Sequence, residues 1–299
     1  MQLGLIGLGR MGGHMARRLI DAGHAVVAYD ADPAHLEEAR TIGAVVAGSP
    51  ADLVKALPAP RAVWIMLPHG TPTVQTIETL TGLLSAGDLI IDGGNSHYLG
   101  SIAAAAQCSR RGIDFIDAGV SGGVWGLAEG YCIMAGGPPA AVSRLAPVLT
   151  ALTQPGGFAH VGPVGAGHFV KMIHNAIEYG MLQALGEGFE CLERSEFGID
   201  LRKVAALWQH GSVVRSWLLE LMDKAFAEDG ARLEHIAPVL EDSGTGRWTI
   251  EYAVGRAIPI PAITDSVYAR FSSRDIGGFS ARVIAALRKQ FGGHAVKRA

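Results

Sequence analysis

Gln2-Leu-Gly-Leu-Ile-Gly7-Leu-Gly9-Arg10-Met11-Gly12 opens the chain with a short apolar strand pattern that runs into a G-x-G-x-x-G. The pattern continues as a helix from Gly12 to Ala22. In that setting Gly7, Gly9 and Gly12 allow a tight turn, and the loop with Arg10 and Met11 brings backbone close to a pyrophosphate at a helix N-terminus. A second strand pattern, Ala25 to Asp30, ends in a carboxylate about 20 residues on, where such loops place the residue that accepts hydrogen bonds from the adenine ribose hydroxyls. A 2′-phosphate there would meet Asp30 and a second acid, Asp32, while Ala31 offers no arginine. The cofactor expected is NAD rather than NADP. Asp30 also suits a turn after a strand, and Asp32 suits an N-cap before Pro33 at the first helical position, which is its stronger reading.

Beyond this unit, short apolar runs recur at Ala62 to Met66, Asp88 to Asp92, Asp114 to Ala118 and Tyr131 to Ala135. Helix-length segments separate them, including Pro33 to Ile42, Thr73 to Leu84 and Tyr98 to Arg110. Strands alternating with helices imply a parallel, doubly wound Rossmann-type sheet. After Gly157 the character changes: one long helical pattern runs from Gly167 to about Arg194, shorter ones follow, and only Phe158 to Val161 still reads as strand. The expected fold is α/β then all-α, with an NAD-binding domain over 1–164 and a helical substrate-binding and oligomerisation domain over 165–299.

The 299 residues are 49% hydrophobic and 18% charged, with a formal charge of −3, which indicates a well-packed globular protein and no nucleic-acid or polybasic membrane footprint. Cys108, Cys132 and Cys191 are odd in number and lack C-x-x-C spacing, so free thiols and no metal are expected. With no signal-peptide pattern and no membrane-length apolar run, a cytoplasmic location is expected.

The long helix carries a second signal. Lys171, His174, Asn175 and Glu178 fall at i, i+3, i+4 and i+7, so they share one face. Phe169, Val170, Met172, Ile173, Ala176 and Ile177 occupy the other sides, which predicts a buried helix with a polar stripe facing a cleft. An amine and a carboxyl two turns apart suit a general base and a general acid. The alternative is a Lys-Glu pair beside a capped histidine in a helical core.

Together with Ile91-Asp-Gly-Gly-Asn-Ser96, Val120-Ser-Gly-Gly123, Lys171-Met-Ile-His-Asn-Ala-Ile-Glu-Tyr-Gly180, Gly244-Thr-Gly-Arg-Trp-Thr249 and Tyr268-Ala-Arg-Phe-Ser-Ser273, the chain resembles the decarboxylating 6-phosphogluconate dehydrogenases of the β-hydroxyacid dehydrogenase superfamily. The resemblance implies that Asn95, Ser121, Gly122, Gly123, His174 and Asn175 hold the carboxylate and hydroxyls of a phosphorylated sugar acid, with Asn95 also beside the cofactor. It implies that Tyr179, Arg247, Thr249 and Arg270 bind its phosphate. Lys171 is then the general base, aided by Asn175, and Glu178 the general acid. Burial favours the neutral amine and the protonated carboxyl that these roles need.

Two departures from the family pattern stand out. Gly-Arg-Trp-Thr replaces the usual Gly-Lys-Trp-Thr, exchanging a point charge for a planar fork that still suits a phosphate. The chain is also shorter than the long members, yet Arg288-Lys-Gln-Phe-Gly-Gly-His294 is similar to their tail motif. The resemblance implies that Arg288 and His294 complete a neighbouring subunit's site in a homodimer or homotetramer; a basic helix end is the plain alternative. A non-decarboxylating hydroxyacid dehydrogenase and a silent NAD-binding sensor remain as other functional classes.

Overall fold

A computed structural model describes residues 1–230, 232–233, 236–237 and 239–274. It divides into two compact units, Met1–His174 and Asn175–Ala299. In chain order the first unit contains β1 (Gln2–Ile6), α1 (Arg10–Asp21), β2 (Ala25–Tyr29), α2 (Pro33–Thr41), β3 (Val45–Val46), α3 (Pro50–Ala56), β4 (Ala62–Ile65), α4 (Thr71–Leu83), β5 (Leu89–Asp92), α5 (Tyr98–Ser109), β6 (Asp114–Ser121), a 3-10 turn (Gly123–Trp125), α6 (Gly126–Glu129), β7 (Tyr131–Gly136), α7 (Pro139–Leu152) and β8 (Thr153–Gly162). Helix α8 (Ala166–Glu193) runs on into the second unit, which holds α9 (Leu201–Trp208), α10 (Trp217–Asp229), α11 (Thr245–Val254) and α12 (Pro261–Arg274).

The eight strands form one sheet in the order β3-β2-β1-β4-β5-β6-β7-β8. The order reverses between β1 and β4, the switch point at which open α/β sheets bind ligands. The sheet is not wholly parallel, as the sequence suggested, because β7 runs antiparallel to β6. Only the short turn and α6 separate these two strands, too little chain for a parallel crossover. Helix α7 restores a parallel pairing for β8, which begins at Thr153 rather than Phe158. Helices α3 and α7 and the two-residue β3 are additions to the sequence reading.

Both sheet faces are covered. Leu3, Leu5, Trp64 and Ile91 pack with Met15 and Leu19 of α1 and Val142 and Leu145 of α7. On the opposite face Val63, Ile65 and Ile90 meet Leu53, Ile77, Leu80 and Cys108 of α3, α4 and α5. Each fully buried aliphatic or aromatic side chain contributes about 1.5–3 kcal/mol, which holds the strand ends, and hence the site loops, rigid. The second unit has its own smaller core, in which the Phe189 ring lies 5.8 Å from Trp208 and 5.5 Å from Phe226. Asp32 does cap α2, accepting the Ala34 N–H with Pro33 at the helix start.

The other sides of α8 are not uniformly buried, contrary to the sequence expectation. Val170, Ile177 and Met181, spaced to share a face, are 36%, 51% and 43% exposed.

Candidate active site

The glycine motif has three distinct jobs. Gly7 has a positive φ of 92°, and a Cβ on it would strike the Met66 carbonyl. At Gly12 a Cβ would strike the Gly7 carbonyl, so these two glycines set the turn and the close seat of α1 on the sheet. Around Gly9, the N-cap of α1, a Cβ would meet nothing within 4 Å, and no side chain caps the helix. An uncapped helix start with open space over its glycine fits a pyrophosphate. The Met11 carbonyl accepts a long 3.5 Å contact from the Tyr131 hydroxyl, whose pKa burial raises to about 12 against the pull of Arg18. A cavity of about 370 Å³, lined in part by Gly9, Arg10 and His35, opens between α1 and α2.

Asp30 follows β2 and holds the same loop together. Its Oδ2 accepts the Leu8 N–H at 2.6 Å and its Oδ1 the Asp32 N–H at 2.8 Å, with His35 Nδ1 at 3.4 Å from Oδ1. Burial pushes this carboxyl up, but the two N–H donors and His35 outweigh it and hold its pKa below the ordinary value. A carboxylate with two oxygens retains lone pairs for ribose hydroxyls after those bonds.

Further along the sheet, α8 begins on β6 and β7. Asp117, 0% exposed, accepts the Gly165 and His168 N–H groups, both at 2.7 Å, and so caps the first turn. Burial raises the Asp117 pKa. A Cβ on Gly167 would strike the Asp117 and Met134 carbonyls, and one on Gly119 would strike Lys171 Cβ, so the helix lies against strand backbone. That contact brings Lys171, 6% exposed, over the end of β6. Lys171 Nζ is 3.3 Å from His174 Nδ1, and His174 Nε2 is 3.4 Å from the Ser121 hydroxyl. Ser121 ends β6, ahead of Gly122 and Gly123, both at positive φ. Asn175 and Glu178, both partly buried, follow on the same face of α8.

Asn95 has a positive φ of 53° and its amide is committed to the fold, donating to the Val120 carbonyl at 3.1 Å and accepting the Val120 N–H at 2.9 Å. This pair clamps the loop after β5 to β6. Strand β6 runs on to Ser121, three residues beyond the Asp114 to Ala118 run that the sequence marks.

The second unit gathers its own polar cluster at the start of α11. Tyr179, 7% exposed, accepts the Ser243 N–H at 3.1 Å and lies 3.3 Å from the Ser243 hydroxyl, which in turn is 2.9 Å from that of Thr245. Gly244 caps the helix in the left-handed conformation, and the missing Cβ of Gly246 leaves room for the Tyr179 ring. The Arg270 guanidinium sits 3.7 Å over that ring and donates to the Glu241 carbonyl at 2.8 Å. Arg247 Nε is 3.1 Å from Asp242. Thus Tyr179, Arg247 and Arg270 all border the 241–245 segment.

Thr249 is placed differently from the expectation. It is 3% exposed, and its hydroxyl donates to the Thr245 carbonyl one turn back inside α11. The hydroxyls beside Tyr179 belong to Ser243 and Thr245, which the sequence reading passed over although they flank the helix-capping glycine. It also passed over Asp242 and Arg274, whose ion pair spans 2.9 Å. Arg288 and His294 lie outside the described residues. Among the described residues no group of His, Cys, Asp and Glu side chains could hold a metal, and no helix is long and apolar enough to cross a membrane.

Comparison with known proteins agrees with this geometry. The family model for the NAD binding domain of 6-phosphogluconate dehydrogenase matches residues 2–165, and that for the C-terminal domain of the same enzyme matches residues 167–278. The chain is 43% identical over 299 residues to the NAD(+)-dependent, decarboxylating 6-phosphogluconate dehydrogenase of Haloferax volcanii, covering 100% of this chain and 99% of that one. It is 35% identical over 289 residues to the NADP(+)-dependent, decarboxylating enzyme of Bacillus subtilis, covering 91% of this chain but only 61% of that longer one. Among solved structures, 6-phosphogluconate dehydrogenase of Plasmodium falciparum superposes with a TM-score of 0.84 at 27% identity, covering 100% of this chain and 66% of that one. Matched along both halves by these models, the chain belongs to the 6-phosphogluconate dehydrogenase family of oxidoreductases.

Proposed function

We propose that the protein oxidatively decarboxylates 6-phosphogluconate to ribulose 5-phosphate and carbon dioxide with NAD as oxidant, a step of the pentose phosphate pathway. The observation that carries this reading is the buried Lys171 amine beside His174 and Ser121, with Glu178 two turns along the same helix. NAD, when bound, supplies the hydride acceptor for C3. Gly7, Gly9, Arg10, Met11 and Gly12 seat its pyrophosphate, and Asp30 takes the ribose hydroxyls and repels a 2′-phosphate. The NAD(+)-dependent relative at 43% identity supports the same preference.

Neutral Lys171 takes the C3 hydroxyl proton as hydride leaves that carbon. The resulting β-keto acid loses carbon dioxide from C1, leaving an enolate whose oxygen the Lys171 ammonium stabilises. Glu178, as the general acid, delivers a proton to C2, which becomes C1 of ribulose 5-phosphate. Ser121, Gly122, Gly123, His174 and Asn175 orient the carboxylate and hydroxyls. Asn95, tied to Val120, keeps that loop in place. Arg247 and Arg270, with the Tyr179, Ser243 and Thr245 hydroxyls, bind the phosphate.

Residues 1–164 then serve as the cofactor domain, and 165–299 as the substrate and assembly domain. The exposed apolar stripe on α8 supports a homo-oligomer, in which Arg288 and His294 complete a phosphate site.

The test is turnover of 6-phosphogluconate, followed by nicotinamide reduction and released carbon dioxide, with NAD and NADP compared. Turnover favouring NAD with one carbon dioxide per reduced cofactor is expected, and Lys171→Met is expected to lower kcat by about 10²–10⁴-fold while NADH still binds. Turnover of 3-hydroxyisobutyrate but not 6-phosphogluconate would overturn the substrate assignment.

A further inference from the structure

Asp242 has no place in the chemistry above, yet it is engaged from three sides beside the phosphate cluster. Its side chain is 2% exposed. Oδ1 accepts the Gly244 N–H at 2.9 Å and lies 3.1 Å from Arg247 Nε; Oδ2 lies 2.9 Å from Arg274 Nη2. Arg274 is further anchored by donating from Nε to the Leu240 carbonyl at 2.7 Å.

A carboxylate beside a phosphate site is electrostatically adverse unless it does something else there. Here it grips Arg247 by the Nε edge, which leaves the Nη groups of that fork for a second oxyanion. Its bond to the Gly244 N–H also fixes the left-handed corner that brings Ser243 and Thr245 beside Tyr179. Arg274, which also lies 3.5 Å from Glu241, offsets the charge that Asp242 brings, and with Arg247 and Arg270 it sets three guanidiniums against two carboxylates, the excess of cations that a phosphate needs.

We infer that Asp242 is a positioning residue that aims Arg247 and the Ser243–Thr245 corner at the substrate phosphate. This rests on the assignment of Arg247 to the phosphate. Positioning and charge predict opposite signs. Asp242→Asn removes a negative charge at nearly constant shape, so a pure charge effect would lower the KM for 6-phosphogluconate. Loss of positioning raises it.

The experiment is steady-state kinetics at saturating NAD, with inorganic phosphate as a competitive probe, on the wild type, Asp242→Asn, Arg247→Met and the double variant. Expected for Asp242→Asn is a KM raised about tenfold with kcat changed less than about twofold, and a parallel rise in the phosphate Ki. In the double variant, KM is expected to exceed that of Arg247→Met by less than the factor Asp242→Asn causes alone, because Asp242 then has no fork to aim and only the Ser243–Thr245 corner is lost. Should Asp242→Asn not fold, Asp242→Glu, which keeps the charge but moves it by one methylene, is expected to show the same KM rise. A lowered or unchanged KM in the Asn variant, a KM rise without a change in phosphate Ki, or full additivity in the double variant would each overturn the inference. An Arg247→Met variant with unchanged KM would instead sink the phosphate assignment itself, so the two failures are distinguishable.

Discussion

At residue 30 a single carboxylate holds a loop together and, in the proposed function, also selects the cofactor. Its bonds to the Leu8 and Asp32 N–H groups mean that Asp30→Ala leaves two donors unsatisfied, at about 1–3 kcal/mol each where they are buried. The expected result is a lowered Tm together with a fall of about tenfold or more in kcat/KM for NAD and a narrowed preference over NADP, since a charge-assisted hydrogen bond is worth about 1.5–3 kcal/mol. Calorimetry and paired kinetics with the two cofactors check this. Asp242 provides a second case, in pH. Burial pushes its carboxyl up, but Arg274, the Gly244 N–H and Arg247 prevail and hold the pKa below the ordinary value. Its stabilising contribution is therefore complete above the ordinary carboxylate range and is lost as pH falls through the depressed folded value. Thermal unfolding followed from about pH 6 down to about pH 2 should show that acid-side loss in the wild type and a shallower one in Asp242→Asn.

At the scale of the element, α8 shows how backbone contact delivers the amine proposed as general base. Its first turn is capped by Asp117 and seated through Gly167 and Gly119, whose absent side chains admit the helix onto β6 and β7. Gly167→Ala is expected to destabilise by about 1–3 kcal/mol, since two backbone carbonyls stand where the methyl would go. It is also expected to lower kcat by moving Lys171. Gly180, later on the same helix, meets nothing within 4 Å, so Gly180→Ala is expected to stabilise by up to about 0.8–1 kcal/mol through helix propensity alone. Denaturant titration of the two variants tests the contrast. In the sequence Gly167 only opens the helical pattern; the strand carbonyls of Asp117 and Met134 are what exclude a side chain there.

For the whole molecule, the residues proposed to hold the cofactor fall within Met1–His174, and those proposed to hold the phosphate within the unit that starts at Asn175. Changes in the second cluster should therefore leave cofactor binding alone. Arg270→Ala is expected to raise the KM for 6-phosphogluconate by about tenfold or more while the NADH dissociation constant, read by fluorescence titration, moves by less than about twofold. The loss of the contact over Tyr179 adds a packing component to that effect. Both units are held in 299 residues, and the long Bacillus relative is matched over only 61% of its length.

Local order was legible from residue pattern alone. The G-x-G-x-x-G, the carboxylate at Asp30, the strand and helix alternation and the polar face of α8 are periodic or motif-based signals, and these depend on neighbours in the chain. The antiparallel β7, the clamp of Asn95 on Val120 and the grip of Asp242 on Arg274 were decided only by tertiary structure. Each depends on which distant backbone or side chain arrives within hydrogen-bond reach, and no spacing along the chain encodes that distance.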